Sequence, residues 1–205
     1  MFDKMFQFSG AIALAFLLLP AAASAQQAPS AAKRMNTLGA ENSLLTQRVG
    51  TWDVTETVRA APGAVPTANH YRVTRKMIGS FLQEIAVPLP GAADPSFRRI
   101  YYLSFNRVEG RWKYVSLVTN SPVGLMPAAS FGPSVNGTIT LQFEPFAVAG
   151  PGVNVTGQML RMDEIITLQD PNHDHSEERF RMADGSGKMW VAYRYDYARR
   201  GVRSK

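Results

Sequence analysis

The stretch Gly50-Thr51-Trp52-Asp53-Val54-Thr55-Glu56-Thr57-Val58 constrains the fold of this chain more than any other. Trp52, Val54, Glu56 and Val58 alternate with Thr51, Asp53, Thr55 and Thr57, so large and polar residues take opposite faces of an extended strand with one buried side. Just upstream, Leu38, Glu41, Asn42, Leu44, Leu45, Arg48 and Val49 set their apolar members at helical spacing, and Gly50 suits a helix stop. The pattern predicts a short helix feeding a strand that opens with Gly-x-Trp, and later segments read as strands added to this one.

After a loop over 60–68, His70 to Ile78 reads as a second strand. Gly79-Ser80 then forms a two-residue type II′ hairpin turn, with glycine at the first central position. That turn sets Ile78 opposite Phe81, Met77 opposite Leu82, Arg75 opposite Glu84 and Val73 opposite Ala86. If the first two strands pair so that Val54 meets Met77, Glu56 falls opposite Arg75. A row of Glu56, Arg75 and Glu84 then points to the face that carries Trp52. Buried charges are costly unless paired, so the row is either a structural ion network or the polar end of a ligand cavity.

Arg98 to Asn106 and Arg111 to Thr119 form the next hairpin, with Phe105 opposite Trp112 and Leu103 opposite Tyr114. Ser121 to Pro133 is broken by Pro122, Gly124, Pro127 and Gly132 and reads as a long connection over a barrel mouth or edge. Asn136-Gly137 marks a turn before a strand over 138–146, and Ala149 to Gly152 marks another. A strand over 153–168, broken near 161–163, is followed by strands over 177–183 and 189–197. Short strands without long intervening helices predict an all-β fold: an antiparallel meander closed into a barrel of about eight to ten strands, with a short N-terminal helix.

The Gly50-x-Trp52 entrance after a helical turn resembles the lipocalin-like (calycin) β-barrels, and among them the bacterial exported families of unknown function. In such barrels an arginine near the last strand packs on the tryptophan, a role open here to Arg194 or Arg199; the Thr-Asp-Tyr motif between late strands has no counterpart. The resemblance implies a single barrel domain over 38–198 that holds one small ligand.

The ends of the chain read differently. Lys4, the apolar run 11–19 and Ala23-Ser24-Ala25 match a secretory signal peptide, cleaved near Ala25. The run is shorter than the roughly 20 residues a spanning helix needs, so the mature chain is expected to be periplasmic or secreted, without a transmembrane segment. Residues 26–37 read as a flexible lead-in and 199–205 as a basic disordered tail. With no cysteine, the exported protein relies on a packed core instead of disulfides. The net charge of +6 is concentrated in that tail and forms no aromatic-rich basic face, which argues against a nucleic-acid partner.

No complete catalytic or metal motif is present. His173 and His175, near Asp170 and Glu177, are the best metal candidates, but Asp170-Pro171-Asn172 is turn chemistry and a solvated loop is the expected setting. Gly185-Ser186-Gly187-Lys188 lacks the spacing of a phosphate loop and reads as a hairpin turn. Nucleophilic catalysis lacks a cysteine and a Gly-x-Ser-x-Gly elbow, and haem ligation would need one of His70, His173 or His175 to face inward. The expectation is a binding protein for a small, mostly apolar or amphipathic ligand, without a cofactor. Trp52, Tyr71 and Met77 would form apolar wall, and Arg75, flanked by Glu56 and Glu84, the polar handle. Two alternatives stay open: an enzyme using Glu84 or Glu56 as general base, and a structural module with a filled barrel.

Overall fold

The computed structural model describes residues 30–121, 123–148, 158–182 and 185–201. The expected signal peptide and the turn at 149–152 lie outside them. Two short helices, α1 (Ala31–Asn36) and α2 (Ala40–Thr46), precede eleven strands. These are β1 (Gly50–Val58), β2 (Thr67–Ile78), β3 (Phe81–Pro88), β4 (Arg99–Asn106), β5 (Arg111–Val118) and β6 (Met126–Ala129), then β7 (Thr138–Phe143), β8 (Phe146–Val148), β9 (Gln158–Asp170), β10 (His173–Met182) and β11 (Met189–Arg199). Each strand pairs antiparallel with its chain neighbour from β1 to β7; β7 pairs with β9, β9 with β10, β10 with β11, and β11 returns to β1. The result is a closed ten-strand antiparallel barrel, with β8 lying beside the N-terminal end of β9. Among the described residues, closure leaves no long sheet edge to pair with another chain.

One end of the barrel is shut. Helix α2 packs there with Leu45 buried, and the Asn42 carboxamide exchanges hydrogen bonds with the backbone of Phe105 on β4. Trp52 is fully buried and donates from Nε1 to the Arg48 carbonyl, 3.1 Å away. Arg199, at the end of β11, lies over the Trp52 ring at 4.4 Å and donates to the carbonyls of Gln47, Val49 and Pro171. It thereby ties the segment after α2, the β9–β10 turn and the last strand together. It belongs to the barrel and not to the tail expected over 199–205; residues 202–205 lie outside the description.

The hairpin registers follow the sequence. Met77 faces Leu82, Arg75 faces Glu84, Phe105 faces Trp112 and Leu103 faces Tyr114. Gly79 has φ +60°, while Ser80 is not among the residues with positive φ, as a type II′ turn requires. The β1–β2 register differs from expectation by six positions: Val54 faces Tyr71, and Glu56 faces Asn69 instead of Arg75. The cause is the length of β2, which begins at Thr67 and shortens the connecting loop. Because the offset is even, every side chain keeps its face.

Five other boundaries move. Residues 31–36 of the lead-in form α1, capped by the Ser30 hydroxyl accepting from Lys33 N. Residues 126–129 of the expected long connection form β6, whose seam with β7 holds two residue pairs. Pro127 lies in it, with its carbonyl turned toward Glu144 beyond the end of β7, so the N–H it lacks falls where the ladder is already ending. Pro145 divides the expected strand 138–146 into β7 and β8. Conversely, β9 runs unbroken through 161–163, where Met162 is buried between outward Arg161 and Asp163, and β10 begins at His173, four residues earlier than expected.

Candidate functional site

Strand alternation stacks polar groups in layers inside the barrel. Next to the shut end, Arg75 Nε donates to Glu84 Oε2 at 2.7 Å and Arg75 Nη1 to Asp174, while Arg48 Nη1 lies 2.8 Å from Asp174 Oδ1. The Arg75 guanidinium sits between the rings of Trp52 and Tyr197, at 4.8 and 4.3 Å. Arg99 Nη2 donates to Glu84 Oε1 at 3.1 Å and to Tyr197 Oη at 2.8 Å. Burial alone would raise the Glu84 carboxyl, but Arg75 and Arg99 beside it hold it below its ordinary range. This layer is closed, with Glu84 at 0% exposure.

Above it the barrel opens into a cavity of about 850 Å³. Its floor is Arg99, Glu178 and Glu56, and its walls include Tyr71, Phe97, Met126, Met162, Phe180, Tyr193 and Tyr195. The mouth is framed by the 88–97 loop and by Asn120, Ser121 and Val123. Asp94 joins these two rims, accepting from Ser96 on one side and from Asn120 Nδ2, 2.8 Å away, on the other. Within the cavity Glu56 Oε2 accepts from Tyr71 Oη at 2.9 Å and Asn69 Nδ2 at 2.8 Å. Arg99 stacks 3.9 Å over the Tyr195 ring, and Tyr195 Oη donates to Glu178 Oε1 at 3.2 Å.

Glu178 has a second carboxyl as its cross-strand partner, Glu164 on β9. Glu164 is 4% exposed and its Oε2 has no hydrogen-bond partner. Burial, then the neighbouring Glu178, pushes the Glu164 carboxyl up to about 8. Burial likewise pushes Glu178 up to about 7, with Arg99 opposing and Glu56 adding to the rise. Two carboxyl groups facing each other in a dry wall cannot both ionise cheaply, so near neutral pH they share a proton.

Of the six residues singled out in the sequence, Glu56 and Tyr71 line this cavity. Trp52, Arg75 and Glu84 occupy the packed layer beneath it, and half-buried Met77 packs on the hydrophobic cluster near the shut end. Arg75 and Glu84 are paired as expected; Glu56 is on the same inward face but bonds Tyr71 and Asn69 instead. Arg99, Glu178, Tyr193 and Tyr195 escaped the sequence reading. The signal was there: Arg99-x-Tyr101-x-Leu103, Asp174-x-Ser176-x-Glu178-x-Phe180 and Tyr193-x-Tyr195-x-Tyr197 each put one face inward.

The three histidines lie at outward positions of their strands. His173 Nδ1 is 2.9 Å from Asp170, His175 Nδ1 is 2.8 Å from Asp196, and His70 pairs with Thr55. Asp170 turns the chain by accepting from the backbone N–H of Asn172 and His173, so both later histidines sit on strand β10 and not in a loop. Among the described residues no group of three His, Cys, Asp or Glu is placed to hold a metal ion, and no helix is long and apolar enough to cross a membrane.

A family model described as "Protein of unknown function (DUF1579)" matches residues 37–199. The chain is also similar to a solved structure titled "Crystal Structure of Rv2717c from M. tuberculosis", at 15% identity and a TM-score of 0.51, covering 80% of this chain and 99% of that one. That likeness is one of fold. No curated protein matches.

Proposed function

The chain belongs to the DUF1579 family of proteins of unknown function, and from the geometry of its barrel we propose that it is an exported, lipocalin-like protein that binds a small, mostly apolar molecule. One observation carries this reading: the cavity of about 850 Å³ at the open end. It falls in the range of roughly 300–1,000 Å³ typical of small-molecule sites, and it joins apolar walls to a few convergent polar groups. The lipocalin-like character is supported by Arg199 on Trp52 behind a Gly-x-Trp strand entrance. A filled structural barrel has the cavity against it.

The polar handle of this site is Arg99 with Glu178 and Glu56, since Arg75 is fully engaged by Glu84 and Asp174. The test is native mass spectrometry of protein purified from its own host, beside a Ser116→Trp variant. Ser116 is buried and lines the cavity, so an indole there would fill it. A co-purified small molecule carried by the wild type and lost from the variant is expected. Equal retention by both would place the molecule elsewhere and overturn the reading.

One observation favours an enzyme of the same cavity: the Glu178 carboxyl, pushed up to about 7 in an open pocket, would serve as a general base. Of the two bases expected from the sequence, Glu84 is sealed and paired, while Glu56 lines the cavity and accepts from Tyr71 and Asn69. Incubating the co-purified molecule with fresh protein decides between the two, because a binder returns it unchanged.

A further inference from the structure

We infer that the molecule held in the cavity carries a cationic head, an organic ammonium or amidinium group, seated against Glu178, with Glu164 behind it, within the aromatic wall. The inference rests on the binding reading above and names the class of ligand.

The first argument is charge balance in a dry interior. Five carboxyl groups, Glu56, Glu84, Glu164, Asp174 and Glu178, meet three guanidinium groups, Arg48, Arg75 and Arg99. Arg48 and Arg75 are used at the shut end by Asp174 and Glu84, and Arg99 bonds Glu84 while lying only 4.0 Å from Glu178. Even with one proton shared between Glu164 and Glu178, four negative charges meet three positive ones, so the interior is one positive charge short at the cavity floor. An entering cation supplies what the fold lacks, whereas an anion adds to the excess.

The second argument is an unused acceptor. Glu164 Oε2 is buried, inward-facing and without a hydrogen-bond partner, directly across from Glu178, which forms part of the floor. Buried polar atoms are rarely left so; Glu164 does not itself line the cavity, and its unmet charge adds to that of Glu178, which does. The groups facing Glu178 are Glu56 from β1, Arg99 from β4, Glu164 from β9 and Tyr195 from β11. Arg99 Nε also lacks a partner, but its guanidinium is already stacked on Tyr195 and bonded to Glu84 and Tyr197.

The third argument is the wall. Tyr193 and Tyr195 stand nearly parallel, 6.2 Å apart with 5° between their planes, and Phe180 closes on Tyr193 at 5.7 Å. Aromatic faces beside a carboxylate attract organic cations and still accept an apolar chain.

Calorimetric titration at neutral pH with decylamine, decanol and decanoate, which share a chain and differ in head charge, tests the inference. Decylamine should bind about tenfold tighter than decanol, as one partly buried ion pair worth ~1.4 kcal/mol gives, with decanoate weakest. Glu178→Gln and Glu164→Gln, each isosteric, should bring decylamine close to decanol. Equal binding of all three, or a preference for decanoate, overturns the cationic head while the apolar cavity stands. Failure of all three to bind overturns both. The wild-type comparison decides even where a variant does not fold.

Discussion

Arg199, the last residue of β11, lays its guanidinium over the ring of Trp52, the third residue of β1, at 4.4 Å. The barrel is thus clasped where its two terminal strands meet, and the same guanidinium gathers three backbone carbonyls that would otherwise be left at a strand junction. Replacing Arg199 by Ala should cost about 2–4 kcal/mol of stability, the loss of several charge-assisted hydrogen bonds and a cation–π contact. Arg199→Lys should recover less than half, because an ammonium cannot span the same fork of acceptors. Urea unfolding followed by tryptophan fluorescence measures both.

Gly50 serves this clasp. Its φ of +142° is one that residues with side chains rarely adopt, and an added Cβ would stand 2.7 Å from Arg199 Nη1. Gly50→Ala should destabilise by about 1–3 kcal/mol from backbone strain and displacement of Arg199. In the double variant with Arg199→Ala the costs should fall short of additive, and a double-mutant cycle reads that difference. Strict additivity would mean that glycine and arginine act separately.

Glu84 joins Arg75 and Arg99 in a sealed layer. Glu84→Gln leaves two buried guanidiniums short of a counter-ion and should cost about 3–5 kcal/mol. Arg75→Met combined with Glu84→Leu should cost less than Glu84→Gln alone, since it removes a charge of each sign. Thermal unfolding of the two variants tests the order.

The carboxyl pair makes stability depend on pH in an unusual direction. Glu164 and Glu178 titrate near 8 and 7 in the folded protein, against 4.5 for an ordinary glutamate. Between these values the folded state binds more protons than the unfolded, so the stability this pair contributes is full below pH 4.5 and is lost as pH rises toward 8. The fall should be on the order of 3 kcal/mol or more. Glu164→Gln removes one partner and should flatten the slope while raising stability at pH 8. Urea midpoints across this range check it; a midpoint that rises with pH contradicts the shared proton.

Much of the barrel was legible because hairpins are local. Gly79-Ser80 pins Arg75 to Glu84 through a two-residue turn, and period-two alternation puts Trp52, Arg75 and Glu84 on one face whatever the register. The β1–β2 offset was not legible, because an eight-residue connection over 59–66 leaves register to packing and not to turn chemistry. The short strand β6 was hidden by Pro127, which local rules exclude from a ladder interior but which the β6–β7 seam tolerates.

By itself the sequence determined the strand faces, the hairpin registers and the tryptophan-led entrance, all of which depend on neighbours within a turn's reach. Which charges meet beyond one hairpin was decided only by closure of the barrel. Glu178 and Glu164 pair within the β9–β10 hairpin, but Arg99 of β4 reaches Tyr195 and Tyr197 of β11 only because the sheet returns on itself. Closure removes water from between residues nearly a hundred positions apart, and in that dry interior a carboxyl without a cation becomes a site.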